Sequence, residues 1–199
     1  GNIIQSAAKI VAADPERRYV VVSAPGKRFG GDIKVTDLLY KCSELAETGG
    51  AFEAEFSKIR TRFLNIEKEI GLDLGVEGML DEIEERVLRG EGRDYCASRG
   101  EYLAARIMAA VLDVPFVDAA DIVRFKADGS LDEETYALAA SVLKKYARAV
   151  VPGFYGRGAD GKIKTFSRGG SDISGAVLAR AVKASLYENW TDVSGFFAC

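Results

Sequence analysis

The chain contains no histidine, and that absence removes more chemistry than any other. Serine or cysteine nucleophiles activated by an imidazole, histidine-ligated zinc and histidine acid–base catalysis are all excluded. Cysteine is scarce as well. Cys42, Cys96 and Cys199 are far apart and odd in number, which argues against a disulfide framework or a zinc site and fits a reducing compartment. No apolar run approaches membrane-spanning length, and the first residues lack a signal-peptide pattern. Excess positive charge is missing too: the net charge is −3 and basic residues are scattered among acidic ones. No nucleic-acid surface is indicated. The expectation is a cytoplasmic protein with neither nucleic acid nor membrane as a partner.

What is present is enough for one packed domain: 199 residues, 48% of them hydrophobic. The reactive inventory reduces to Asp, Glu, Lys, Arg and backbone donors. Phosphoryl transfer suits that inventory, because positioning and charge neutralisation do most of its work.

Periodicity predicts a helix over Asn2–Ala13, with Ile3, Ile4, Ala7, Ile10 and Val11 on one face, broken by Asp14-Pro15. Tyr19–Val22 reads as a buried strand and Ala24–Val35 as a polar, glycine-rich loop. Thr36 is expected to cap a helix that runs to Glu47. Ala51–Ile70 and Val76–Leu88 read as two further helices with no strand between them, a helical insertion over residues 51–90. Tyr95–Ala97 is a short strand candidate ahead of a helix over Glu101–Leu112. Val114–Val117, Ile122–Phe125, Ala149–Pro152 and Leu186–Trp190 read as strands, and Asp132–Tyr146 as a helix. Asp160-Gly161 has the residue types of a hairpin turn. Strands alternating with helices make an α/β protein with a mainly parallel sheet. Ligands in such sheets sit beyond the carboxyl ends of strands, where Ser23, Ser98–Glu101, Gly153–Gly156 and Thr191-Asp192 fall.

One stretch concentrates the chemistry. The β-like Lys162–Phe166 runs through Arg168 into Gly169-Gly170, and a helix follows from Asp172 to Lys183. Glycines at a helix start bare its N–H groups, and that end of a helix favours anions. Two readings stay open from the residues alone: an anion site, or a plain helix start capped by Ser171 or Asp172.

Taken in order, five segments resemble the aspartate kinases of the amino acid kinase family. They are Val20-Val21-Val22-Ser23-Ala24, Thr36-Asp37-Leu38-Leu39, Gly100-Glu101, Val151-Pro152-Gly153-Phe154 with Arg168-Gly169-Gly170-Ser171-Asp172, and Trp190-Thr191-Asp192-Val193 with Gly195. The resemblance runs through nearly the whole chain. It implies a three-layer αβα sandwich with a mainly parallel sheet, and transfer of the ATP γ-phosphate to the β-carboxylate of L-aspartate, with Mg2+. By the same resemblance Thr36, Glu101, Arg168 and Ser171 hold the aspartate, Glu101 facing its ammonium group and Arg168 a carboxylate. Asp172, with Arg168, serves the transfer itself. Ser23, Gly169, Gly170, Thr191, Asp192 and Phe197 face the nucleotide, and no residue is assigned as a dedicated metal ligand. From the residues alone, Glu101 reads equally well as a favourable charge in the first turn of a helix.

The sequence also departs from the family pattern. The family's opening strand, Lys-Phe-Gly-Gly-Ser/Thr, has no counterpart before Gly1-Asn2-Ile3, and its Asp-Pro-Arg segment and regulatory ACT domains have none after Cys199. The loop Pro25–Val35, with Arg28-Phe29-Gly30-Gly31-Asp32, is bulkier than the family's short turn. The expectation is a partial catalytic domain over residues 1–199, inactive or nearly so by itself, from a protein that is a homodimer or larger. The alternatives are another amino acid kinase, similar to acetylglutamate kinase, or a non-catalytic ligand-binding module that keeps the fold. A dinucleotide-binding domain is disfavoured, since no Gly-x-Gly-x-x-Gly follows the first strand.

Overall fold

The centre is a parallel strand pair. In the computed structural model, which describes residues 1–167 and 169–190, β1 (Tyr19–Val22) lies beside β2 (Ala149–Pro152), with Tyr19 opposite Ala149 and Val22 opposite Pro152. Side chains alternate across a strand, so the two faces collect different partners. Val20, Val22 and Val150 turn to one side, against Ala8 of α1 (Asn2–Ala12) and Ala105, Met108 and Ala109 of α5 (Arg93–Leu112). Tyr19, Val21, Ala149 and Val151 turn to the other, against α7 (Glu134–Leu143) and α8 (Gly170–Val182). A helical layer on each face of a parallel sheet is the three-layer α/β arrangement that the resemblance implies.

Several predicted strands are not strands. Tyr95–Ala97 belongs to α5, which begins at Arg93 and buries residues on every side, including Tyr95, Cys96, Ala97, Leu103 and Ile107. A helix that is buried all round has no polar face, so the 3.6-residue signal that should reveal it disappears. Val114–Val117 contributes a single parallel bridge, Phe116 with Val150. Over Ile122–Phe125 the chain first makes one helical turn, α6 (Ala119–Ile122), capped where the Ala120 N–H donates to Asp118 Oδ1 at 2.9 Å. Arg124 and Phe125 then form isolated bridges. Leu186–Trp190 forms no ladder; without a neighbouring strand its apolar side chains Leu186 and Trp190 stay exposed. The hairpin is as expected: β3 (Tyr155–Arg157) and β4 (Ile163–Thr165) pair antiparallel about Asp160-Gly161.

A helical flank buttresses one end of the sheet. α3 (Glu53–Ile70) and α4 (Val76–Leu88) run consecutively and pack with α2 (Val35–Glu47) and α5 around Phe56, Ile59, Phe63, Leu80 and Ile83. Each fully buried side chain of that kind contributes roughly 1.5–3 kcal/mol. The turn between α3 and α4 is fixed by one carboxylate: Glu67 Oε1 accepts from the N–H groups of Leu74 (2.7 Å) and Val76 (3.2 Å). One of the otherwise unpaired donors at the start of α4, the Val76 N–H, thereby finds a partner.

Candidate active site

Two walls face each other beyond the carboxyl ends of β1 and β2, enclosing a cleft of about 290 Å³. The first wall comprises Ser23 to Gly26 after β1, Lys34 and Thr36 at the start of α2, and Glu101 from α5. The second comprises Phe154 after β2, and Gly169, Gly170, Ser171 and Asp172 at the start of α8. The described residues to which the resemblance assigns roles, Ser23, Thr36, Glu101, Gly169, Gly170, Ser171 and Asp172, therefore meet in one place. Arg168, Thr191, Asp192 and Phe197 lie outside the described residues. Lys34, Pro25 and Phe154 are wall residues to which sequence reasoning gave no role; nothing local in the sequence separates them from ordinary loop residues. A wider hollow, of about 530 Å³, opens near α6 and the hairpin. Its Arg124 and Arg157 are committed to backbone oxygens such as that of Ala120, and it holds none of the singled-out residues.

Charge holds the first wall in place. Arg62 of α3, only 5% exposed, reaches across to the loop after β1. Its guanidinium donates to Asp32 Oδ2 (3.2 Å), to the Ile33 carbonyl (3.3 Å) and to the carbonyl of Gly26. From the opposite side Arg28 grips Asp32 with a two-pronged pair, both contacts at 2.9 Å. The Arg28 hydrogen bonds, with the Arg62 charge behind them, hold the Asp32 carboxyl well below the usual carboxylate range. Thr36 does not cap α2. Lys34 occupies the cap position without a side-chain cap bond, and Thr36 sits within the first turn at the cleft edge.

Glu101 is the unusual group. It lies in the body of α5 rather than in a first turn, so it is not there to favour a helix end. It is buried, and its Oε2 has no hydrogen-bond partner. Burial pushes its carboxyl up to about 7, against the opposing pull of the Ala24 backbone and the Arg99 guanidinium. An orphaned, buried carboxylate oxygen is costly to keep. One that borders a cleft fits a cationic donor arriving from it. Arg99 is buried too, lying over the rings of Tyr95 (4.6 Å), Tyr102 (4.7 Å) and Tyr155 (5.2 Å) and donating to Ser98 Oγ. This cage uses α5 and β3 to hold a positive charge near Glu101.

Close packing, not charge, sets the second wall. A methyl group placed on Gly153 would meet the Ser171 Cα at 2.8 Å, so only glycine lets β2 end against the start of α8. Phe154 follows with φ at +77°, a conformation rarely adopted by residues other than glycine. It is held there because its N–H donates to Ser174 Oγ (2.9 Å) and its carbonyl accepts from the Phe166 N–H (2.9 Å). Ser174 in turn donates to the Gly170 carbonyl at 2.7 Å. Gly169, with φ at +57°, is the cap residue of α8 and gives no side-chain cap bond. Neither Ser171 nor Asp172 caps the helix; both lie inside its first turn. The first N–H groups of α8 are therefore left for another acceptor. Asn189 donates to Asp172 Oδ1 at 3.3 Å, a partner that the sequence did not suggest.

No group of three or more potential ligand side chains among the described residues is placed to hold a metal ion. No helix among the described residues is long and apolar enough to cross a membrane.

The chain is thus a parallel α/β sandwich whose strand ends present an uncapped glycine helix start opposite a buried acid. The sequence model of the amino acid kinase family matches residues 1–199, and the chain belongs to that family. It is similar to aspartokinase 3 of Bacillus subtilis, 34% identical over 95% of this chain and 45% of that protein. It is also similar to the chloroplastic aspartokinase 1 of Arabidopsis thaliana, 29% identical over 98% of this chain and 38% of that protein. Among solved structures, aspartate kinase from Clostridium acetobutylicum superposes with a TM-score of 0.95 at 41% identity, covering 98% of this chain and 45% of that one. Aspartokinase III of Escherichia coli, solved with aspartate and ADP, gives 0.78 at 27% identity over 98% and 46% of the two chains. The chain spans less than half the length of these relatives.

Proposed function

We propose that this chain is part of the catalytic domain of an aspartate kinase, which transfers the γ-phosphoryl group of ATP to the side-chain carboxylate of L-aspartate in amino acid biosynthesis. The observation that carries the reading is the unpartnered Oε2 of buried Glu101, set across a small cleft from the uncapped start of α8. The first feature suits an ammonium group and the second suits phosphate oxygens. The likeness to aspartokinases along nearly the whole chain supports the same substrate pair.

For the cleft residues the roles rest on position and the resemblance together, and for Arg168, Thr191, Asp192 and Phe197 on the resemblance alone. Glu101 receives the substrate ammonium, with Thr36 and Ser171 at either side of it. Arg168 is assigned to a substrate carboxylate, because a guanidinium pairs with one through two parallel bonds. Gly169 and Gly170 present backbone N–H groups to the phosphates, and Ser23, Thr191, Asp192 and Phe197 are assigned to the nucleotide. Asp172 is the carboxylate available to a nucleotide-bound Mg2+, which needs only one or two protein carboxylates and keeps several waters. When bound, that ion supplies neutralisation of the phosphate charge. Bond changes are simple. A carboxylate oxygen of aspartate bonds to the γ-phosphorus while the link to the β–γ bridging oxygen breaks, and that electron pair leaves with ADP. The products are 4-phospho-L-aspartate and ADP. The same reading gives the complete protein a homodimeric or larger assembly in the cytoplasm.

The test uses the complete protein with ATP, Mg2+ and aspartate, trapping the acyl phosphate with hydroxylamine. Aspartate-dependent hydroxamate is the expected result. Hydroxamate formed only with another carboxylate, or none at all, would overturn the assignment.

A further inference from the structure

The proposed reaction brings one anion up to another. The described residues of the cleft wall supply two acids, Glu101 and Asp172, and a single base, Lys34. No carboxylate among the described residues forms an ion pair with Lys34, although both neighbouring arginines, Arg28 and Arg62, are paired with Asp32. Its backbone is nonetheless tightly placed. Lys34 has extended dihedrals (φ −63°, ψ 145°), its carbonyl accepts the Leu38 N–H at 3.1 Å, and the preceding Ile33 carbonyl accepts from buried Arg62. The bulky loop Pro25–Val35 thus has a consequence at the site. Its ion-paired strap holds Lys34 at the cleft edge, just ahead of Val35 and Thr36, and leaves its ammonium without an ion pair among the described residues.

We infer that Lys34 is a substrate-binding residue whose ammonium donates to the acceptor carboxylate beside Thr36 and stays on that oxygen as the phosphoryl group arrives. This rests on the kinase reading above and names a residue that reading left without a role. The chemistry asks for a cation at this place. The attacking oxygen is already ionised, and its electron pair forms the O–P bond as the bond to the bridging oxygen breaks. No proton leaves the acceptor, so no base is required there. What must be overcome is repulsion between carboxylate and triphosphate, and a cation beside the acceptor offsets that repulsion. Lysine suits the task because its point charge follows a moving oxygen on a flexible stem.

Steady-state kinetics of the complete protein bearing Lys34→Met or Lys34→Arg test this. Loss of a charge-assisted hydrogen bond predicts that Lys34→Met raises the KM for aspartate by about tenfold or more and lowers kcat. The KM for ATP should move by less than about twofold, and Lys34→Arg should recover most of the loss by restoring the charge. Unchanged aspartate kinetics in Lys34→Met, or a rise in the ATP KM as large as that for aspartate, overturns the inference. Calorimetric titration of aspartate, which needs no turnover, separates this idea from the kinase reading. Weaker aspartate binding by Lys34→Met supports it even if the wild-type protein forms no hydroxamate, and equal binding by the two proteins defeats it.

Discussion

The two walls of the cleft are built on different principles. On the side of β1 and α2, charged side chains reach over a long loop: Arg62 and Arg28 converge on Asp32, and Arg62 also ties the carbonyls of Gly26 and Ile33. On the side of β2 and α8, main chains touch directly: Gly153 lies against Ser171, and Phe154 is locked by Ser174. A strap made of side chains tolerates small displacements, because Arg62 keeps other partners when one is lost. A contact between main chains has no slack, because nothing between the two chains can shrink. The first wall therefore suits substrate groups that vary in position, and the second suits phosphates that must be placed to within a fraction of an ångström.

Gly153→Ala should break this comparison most severely. Its new methyl group meets the Ser171 Cα at 2.8 Å, a backbone contact, so strand or helix must shift. Overpacking of this kind costs about 1–3 kcal/mol, so the midpoint of urea unfolding should fall clearly. Nucleotide affinity should fall with it, since the start of α8 is displaced. An unchanged midpoint would mean that the second wall is not held by close packing. Arg62→Met comes next. It keeps much of the buried stem but leaves the Gly26 and Ile33 carbonyls without their donor. The expected result is a smaller fall in the unfolding midpoint, together with a rise in the aspartate KM that exceeds any change for ATP. Equal changes for the two substrates would show that the strap does not act on the first wall alone.

How much of this was legible in the sequence depends on the kind of interaction. β1, α2, α4, β2 and the hairpin are local in origin, set by apolar periodicity and turn residues, and they lie close to where the pattern puts them. Tyr95–Ala97 was not legible as helix because α5 is buried all round and hides its period. Leu186–Trp190 has strand-like residues, but a strand needs a neighbour, which no local pattern guarantees. The site followed the same division. Ser23, Gly169, Gly170, Ser171 and Asp172 stand at a strand end or a glycine turn and leave local traces, whereas Thr36 and Glu101 were picked out by the resemblance alone, since Thr36 does not cap α2 and no strand directly precedes Glu101. Arg62 lies thirty residues from Asp32, in mid-helix, and looks like any solvated arginine until the fold closes on it. Ser174 and Asn189 are likewise ordinary residues whose roles arise only from tertiary contact.

Aspartate titration across pH addresses most directly the role of Glu101 as the receptor for the substrate ammonium. Burial raises its carboxyl from 4.5 to about 7, so between those values the folded protein holds a proton that the unfolded chain has released. Unliganded stability must then fall as pH rises through that window, and Glu101→Gln should remove this slope. Ligand binding runs the other way, because an ammonium group needs the ionised acid. The prediction is that calorimetric affinity for aspartate rises as pH increases through about 7, and that Glu101→Gln binds roughly tenfold or more weakly with that dependence gone. Aspartate binding by Glu101→Gln that matches the wild type across this range would contradict the account.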